Sequence, residues 1–189
     1  EISSVIGIGG AIFAALIGVN ALSREEREHT AEFLLTHPVT RAGVVLAKLL
    51  AVLAACVVLN VACAALGAAA SAVIGEKADA GAIALTFLAH FIMHVEIASI
   101  CFLLGSFLSR GAVAAGLGTA FGAYVLYIVA NITDKTKFLK YVTPFGYAEG
   151  SEIASRGGIH AGYLAVGLAI TAACLIAAFF IYQKKDIKN

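Results

Sequence analysis

The sequence predicts an all-α fold, a polytopic bundle of transmembrane helices. Hydrophobic residues make up 61% of the chain and charged residues 13%, with a mean hydropathy of +0.94. An average soluble domain is about half apolar and about one-quarter charged. The few charges are bunched between apolar runs longer than the roughly 18 residues that mark a membrane helix. These runs do not alternate apolar and polar residues, as the strands of a membrane barrel do.

Five apolar runs are each long enough to cross a hydrocarbon core of about 30 Å as a helix. The second and third runs are longer than a span requires, and we expect them to tilt or to project from the bilayer. Together they form a single transmembrane domain over residues 1–189. The predicted spans are Ile2–Leu22, Gly43–Ile74, Ala80–Leu108, Gly111–Ile132 and Ala161–Tyr182.

Basic residues indicate the orientation, because Lys and Arg are in excess in cytoplasmic loops. If the segment after the first span is cytoplasmic, eight of the 13 Lys and Arg residues lie on that side. Glu1 then lies outside. The chain has no initial Met, so we expect a missing upstream helix and six spans in the intact protein. We expect its location to be the cell membrane, the inner membrane of a bacterium.

The first polar segment, Ser23–Thr36, has the pattern of a short amphipathic helix at the cytoplasmic surface. Ser23 and Glu26 have the spacing of a capping box. Arg24 and Glu28 are spaced for an i,i+4 ion pair. Pro38 follows and is expected to stop the helix.

The second polar segment, 133–160, is predicted to lie outside. A turn is expected at Thr143–Tyr147, between short helical pieces at Lys135–Tyr141 and Tyr147–Ala154. Loops of this length without a span are usually functional. We therefore predict an outer re-entrant or interfacial helical segment.

At residues 23–41, followed by Lys48, the sequence resembles the cytoplasmic segment of ABC transporter permeases of the type-2 exporter class. That family carries an acidic run, a Thr-x-Glu-x-Leu-Leu element, Pro-Val-Ser/Thr-Arg and a Lys about seven residues later. One position departs from it, since His29 stands where many members have Gly. The stretches Tyr141–Tyr147 and Phe180–Ile187 are similar to the family's outer segment and its basic tail. The matching positions are Thr30, Glu32, Leu34, Leu35, Pro38, Val39, Thr40, Arg41 and Lys48.

The resemblance implies a transmembrane exporter subunit whose coupling helix, Arg24–Thr36, docks on a separate ATP-binding subunit. A second permease subunit, identical or homologous, would complete the path, and Pro144, Phe145 and Tyr147 would belong to its outer gate. The implied ATPase-coupling residues are Arg24, Glu25, Glu28, Thr30, Glu32, Leu34, Leu35, Pro38 and Arg41.

The chain carries no Gly-x-x-x-x-Gly-Lys-Ser/Thr element, so it has no phosphate-binding loop of its own. We expect no enzymatic activity and no cofactor on this chain, with ATP and Mg on the partner ATPase. The surrounding membrane lipid is the other expected partner, and the sequence has no basic stripe that suggests nucleic acid. An interfacial helix lying on lipid is the alternative for Arg24–Thr36, but anionic headgroups would repel its four Glu residues.

A few polar residues fall inside the predicted spans and are candidates for the translocation path: Asn20, Asn60, His90, His94 and Glu96. His90 and His94 share a helix face, whereas Glu96 points roughly 160° away from them at 100° per residue. A carboxylate there costs about 2.5–3.5 kcal/mol on insertion scales, so it should face protein or water. Interhelical hydrogen bonds and a substrate or proton path are both compatible with these residues. Two His form an incomplete metal site.

Small residues recur every four positions in two spans, at Gly10, Ala14 and Gly18 and at Ala114, Gly118 and Gly122. Such ridges let helix backbones approach closely, either within one subunit or between two. We favour packing within the subunit. Two other functions are alternatives: a non-transporting membrane interaction or immunity protein, and an intramembrane metalloenzyme built on His90 and His94.

Overall fold

A computed structural model describes residues 2–28, 40–74, 79–108 and 110–185. Every regular element in these ranges is helical, which confirms the predicted fold class. Within these ranges, five helices are long and apolar enough to cross a membrane by length and composition. They are α1 (Ile2–Arg27), α2 (Arg41–Ile74), α3 (Ala80–Phe107), α4 (Ala112–Ala130) and α6 (Ala161–Lys184).

The 133–160 segment folds as three short helices between α4 and α6. Two of them are 3-10 helices, Asp134–Tyr141 and Pro144–Tyr147, and the third is α5, Gly150–Arg156. The predicted turn at Thr143–Tyr147 is thus a 3-10 helix that begins at Pro144, whose fixed φ suits the first helical position. We call this group of three short helices the outer segment.

The centre of the bundle is the contact between α1 and α3, which run in the same direction. At Gly18 an added Cβ would lie 2.4 Å from the carbonyl oxygen of Ala98, and at Gly105 it would lie 2.4 Å from that of Val19. Only Gly allows backbones this close, as in the small-residue interfaces of membrane helices. Ala14 and Ala15 are fully buried beside this contact. α3 is therefore held in the core, where its polar residues must find partners.

One end of the bundle carries a cluster of basic residues, and we call it the basic end. There Lys185 pairs with Glu26 at 2.8 Å, and Arg41 Nη1 donates to the carbonyl oxygen of Lys185 at 2.8 Å. Lys48 Nζ donates to the carbonyl oxygen of Ala21. The outer segment lies at the opposite end. The alternation of the helices thus agrees with the end assignments made from the placement of basic residues.

The prediction of a separate helix beginning at Ser23 is wrong within the described residues. α1 continues through the end of the apolar run to Arg27. Ser23 is fully buried inside it, and its hydroxyl donates to the carbonyl oxygen of Val19 at 2.8 Å. A hydroxyl bonded to the preceding turn in this way cannot act as an N-cap. The capping box therefore does not form, although the Arg24–Glu28 pair does, at 2.9 Å.

The two small-residue ridges have different environments. Gly10, Ala14 and Gly18 are buried against α3, so this ridge packs within the subunit as expected. The ridge of Gly118 and Gly122 is exposed, and an added Cβ at either position would meet nothing within 4 Å. The expectation of internal packing is therefore wrong for the second ridge. α4 instead turns Gly116 and Ala120 inward.

Candidate functional site

Buried polar side chains on α3 form two separate clusters. His90, His94 and Glu96 are all buried, at 3%, 0% and 1% exposure. Groups of this kind are expensive inside a membrane and need partners within the protein. The two His face α1 and α2, whereas Glu96 faces α6 and the outer segment. The opposite directions expected from the helical spacing are therefore present.

The first cluster joins three helices through His94. Asn60 Nδ2 on α2 lies 3.1 Å from His94 Nδ1, and Gly7 O on α1 lies 3.3 Å from His94 Nε2. Because the amide nitrogen can only donate, Nδ1 accepts and Nε2 carries the proton, which makes the ring neutral in this arrangement. Asn60 Nδ2 also donates to Cys56 O at 2.8 Å, while Asn60 Oδ1 is buried and has no hydrogen-bond partner among the described residues.

His94 is also enclosed by the backbone of α1. An added Cβ at Gly10 would lie 2.2 Å from its Cε1 atom, so the ring occupies the space of the missing side chain. His90 lies one turn away, with ring centroids 6.1 Å apart, and its Nδ1 donates to Thr86 O at 2.8 Å. The first cluster therefore depends on close packing as much as on hydrogen bonds.

The second cluster joins α3 to the outer segment. The Tyr147 hydroxyl donates to Glu96 Oε2 at 2.7 Å in a buried environment. Gly167 of α6 makes room for both, since an added Cβ there would lie 2.5 Å from Glu96 Oε2 and 2.9 Å from Tyr147 Cε1. Tyr147, which the resemblance placed in an outer gate, thus reaches into the bundle and anchors the outer segment on α3.

Further contacts hold the outer segment to the bundle. Thr143 Oγ1 donates to the carbonyl oxygen of Ala123 in α4 at 2.7 Å. Phe145 packs against Tyr124 and Tyr127 of α4, with ring centroids 5.4 and 6.0 Å away. Pro144 is buried with them. The outer segment is therefore a packed cover and not a loose loop.

A buried lysine organises the outer segment itself. Lys140 is only 5% exposed, and its ammonium pairs with Glu149, at 3.3 Å, and with Glu152. Burial opposes the charged form, but the hydrogen bonds and negative charges of the two Glu residues outweigh it, so the pKa of Lys140 is raised above its usual value. Gly146 packs directly on the Lys140 carbonyl. One cation here joins the first 3-10 helix to α5.

The predicted ATPase-coupling residues divide between described and undescribed parts of the chain. Arg24 and Glu28 lie at the basic end with side chains 65% and 46% exposed. Glu25 lies on the same last turns of α1. Arg41 caps α6, donating to Gln183 O at 3.2 Å as well as to Lys185 O. Outside the described residues lie Thr30, Glu32, Leu34, Leu35 and Pro38.

The chain matches the model of the family described as ABC-2 family transporter protein over residues 3–187. This span covers nearly the whole sequence. The chain belongs to the ABC-2 transporter family. It is accordingly a multi-pass transmembrane transport subunit of the ABC-2 type, a membrane component that is not itself catalytic. A comparison with curated proteins found no match.

In this ABC-2 permease, the predicted residues of the translocation path do not form one continuous site. Asn20 lies near the basic end, where it bonds Leu16 O and accepts from Arg27 at 3.0 Å. Asn60 and His94 meet, His90 lies beside them, and Glu96 is on the other face of α3. Among the described residues, no three His, Cys, Asp or Glu side chains are grouped as metal ligands. The metalloenzyme alternative thus has no support from this geometry.

Several residues important to the site were missed from the sequence. Gly167 sits in an apolar run with no ridge partner, and nothing local indicates that it accommodates a carboxylate 71 positions earlier. Lys140 is one of several basic residues in a polar segment, and its burial depends on two Glu residues beyond the turn. The spacing of Glu149 and Glu152, on one side of a short helix, is the one signal that the sequence offered.

Proposed function

We propose that this ABC-2 permease is the transmembrane subunit of an ATP-binding-cassette exporter in the inner membrane of a bacterium. It lines the translocation path together with a second permease subunit. A separate ATPase subunit binds ATP and Mg and docks on residues 24–36. The observation that carries the proposal is the family match together with the continuous α1, whose charged last turns project at the basic end.

The continuous α1 supports a mechanical role for the 24–36 segment. Because α1 has no break between its apolar run and Arg27, a displacement of its last turns at Arg24 is carried into the apolar part of the same helix. Helices move as rigid elements in such transitions. The same helix carries Gly18 against α3, so a displacement of α1 reaches the core of the bundle directly.

A second connection at the basic end supports transmission to α6. Glu26 of α1 pairs with Lys185, and Arg41 of α2 holds the terminal carbonyls of α6. Cations at a helix C-terminus are stabilising because the last carbonyls carry partial negative charge. α6 also carries Gly167 against Glu96 and Tyr147. A movement at the basic end can therefore change how the outer segment is held.

Exposed apolar surface on α2 and α4 supports the proposed association with a second permease subunit. α2 and α4 are largely unburied in the single chain, and large side chains are exposed along both. Lipid covers part of this surface in a membrane. The exposed ridge at Gly118 and Gly122 gives α4 a face that a helix of another subunit can approach closely.

The test is to express the full-length protein with its neighbouring genes, purify it in a mild detergent and identify the retained chains. We expect a stoichiometric partner that carries a phosphate-binding loop, together with ATPase activity. Replacing Glu28 and Glu32 by Lys should release that partner. The matched control is Asp134→Lys, which breaks an exposed ion pair with Lys137 at the opposite end and should leave the complex intact.

The contrary result is equally clear. If no ATP-binding chain is retained and the preparation hydrolyses no ATP, the exporter proposal fails, and a non-transporting interaction protein becomes the better description. If the partner is retained but the Glu28 and Glu32 changes leave it bound, the docking site lies elsewhere on the basic end.

A further inference from the structure

A cavity of about 210 Å³ lies under the outer segment, and the roles described so far leave it unassigned. Its lining comes from α1, α3, α4 and the outer segment together. Ser4 and Gly7 form one side and His90 lies at the α3 wall. Drug-sized ligands occupy pockets of about 300–1,000 Å³, so this volume suits a smaller group.

Three aromatic rings line one part of this cavity. Tyr124, Tyr127 and Phe145 all contribute, and their ring centroids are 5.4, 6.0 and 6.2 Å apart pairwise. Aromatic faces carry partial negative charge, and clusters of them bind ammonium groups through cation–π interactions. An anionic ligand would be repelled by the same surface.

A carboxylate lies beside these rings. Glu149 lines the cavity, accepts from Ser151 Oγ at 3.0 Å and lies 3.3 Å from Lys140 Nζ. Lys140 is shared with Glu152, so one positive charge faces two negative charges. The group therefore carries a net charge of about −1 beside the aromatic rings, in a place partly shielded from water, where charge interactions are stronger than in bulk solvent.

We infer that this cavity binds the ammonium group of a small organic cation, with Glu149 opposite its charge and Tyr124, Tyr127 and Phe145 around it. The methyl or methylene groups of the cation fit the rings, and a hydroxyl substituent can reach His90 or Ser4. The ligand is either a free amine or the headgroup of an amine-bearing lipid. That it is also transported rests on the proposed exporter function, whereas its binding does not.

The first experiment measures binding of radiolabelled choline by equilibrium dialysis. The protein is the full-length complex in nanodiscs made of phosphatidylglycerol, which supplies no ammonium group. We expect saturable binding, and we expect 3,3-dimethylbutanol, which replaces the nitrogen by carbon, to compete at least tenfold more weakly. Equal competition by the uncharged molecule would show that charge has no role and would overturn the inference.

Nanodiscs that contain phosphatidylethanolamine separate the two sources of the ligand. If the lipid weakens choline binding, the cavity takes a lipid headgroup. If choline binding is unchanged, the cavity takes a free amine. Both results support an ammonium site, whereas the absence of choline binding in the phosphatidylglycerol nanodiscs contradicts it.

Two pairs of variants locate the binding in this cavity. Glu149→Gln should lower the choline affinity at least tenfold, whereas Glu152→Gln removes a charge from the same lysine outside the cavity lining and should change it less than threefold. Tyr127→Leu should weaken binding by about fivefold or more. Its control is Tyr141→Leu, since Tyr141 packs on Tyr163 and does not line the cavity.

Failure of the ammonium-site inference is distinguishable from failure of the exporter proposal. If choline does not bind while the complex retains its ATPase and hydrolyses ATP, the cavity assignment is wrong and the exporter proposal stands. If choline binds with the expected variant pattern but no ATPase is retained, the ammonium site stands without the exporter. If a variant elutes as an aggregate, its result is not used. The test then rests on the competition between choline and 3,3-dimethylbutanol for the unmodified protein.

Discussion

The two polar clusters of α3 lie only two residues apart, at His94 and Glu96, yet they are stabilised in different ways. His94 is enclosed by backbone, with Gly10 leaving no space beside its ring and Gly7 supplying a carbonyl. Glu96 is instead reached by a side chain from the outer segment, the hydroxyl of Tyr147. The first cluster lies at the close contact of α1 with α3, whereas the second is one of a few contacts that hold the outer segment to the bundle.

This difference indicates which cluster can change state. Packed cores resist small displacements, because even sub-ångström gaps or overlaps cost contact energy. A hydrogen bond between a helix and a short covering segment can break without disturbing helix packing. We therefore expect disruption of the His94 cluster to lower the stability of the whole bundle, and disruption of the Glu96 cluster to release the outer segment first.

The largest expected effect is that of Gly10→Ala. The added methyl would overlap the His94 ring, and relieving the overlap must break the contacts of the ring with Asn60 or Gly7. Overpacking of this kind costs about 3 kcal/mol at the upper end of its usual range. The measurement is the free energy of unfolding by titration with sodium dodecyl sulfate in detergent micelles.

The control for this change is Gly9→Ala, one residue away on the exposed face of α1, where an added Cβ meets nothing within 4 Å. Ala is a better helix former than Gly by about 1 kcal/mol, so this variant should be unchanged or slightly more stable. Equal losses at both positions would mean that the His94 cluster is not the packed centre that we describe.

Tyr147→Phe should have an intermediate effect, and a more local one. It removes the hydroxyl that donates to Glu96 and leaves the buried Oε2 atom without that partner, at a cost of about 1–2 kcal/mol. We expect faster amide hydrogen exchange in the 143–157 region, with α1 and α3 unaffected.

Tyr141→Phe provides the matched comparison, because Tyr141 belongs to the same segment but is 46% exposed. Its exchange pattern should resemble that of the unmodified protein. If Tyr147→Phe accelerates exchange in α1 and α3 as strongly as in the outer segment, the two clusters are one cooperative unit and the comparison fails.

The sequence predicted the parts of this fold that depend on local pattern. Apolar runs placed all five long helices, and the helical period placed His94 and Glu96 on different faces. The capping-box pattern at Ser23 led to the wrong prediction of a helix start. A serine hydroxyl can bond to the preceding turn equally well when the helix continues through it. The Tyr147–Glu96 contact joins residues 51 positions apart and depends on the fit of Gly167, which no local pattern encodes.

The smallest expected effect is that of Asn60→Leu, and it tests how little the hydrogen bond in the first cluster contributes. Interhelical hydrogen bonds in membrane proteins average about 0.6 kcal/mol. The substitution loses the bond to His94, but it also removes Oδ1, a buried oxygen with no partner in the described part of the chain. These two terms oppose each other, so unfolding should change by less than about 0.6 kcal/mol. Val61→Leu, at the neighbouring exposed position, serves as the control for added apolar volume. A loss for Asn60→Leu as large as that of Gly10→Ala would show that hydrogen bonding, and not close packing, holds His94 in place.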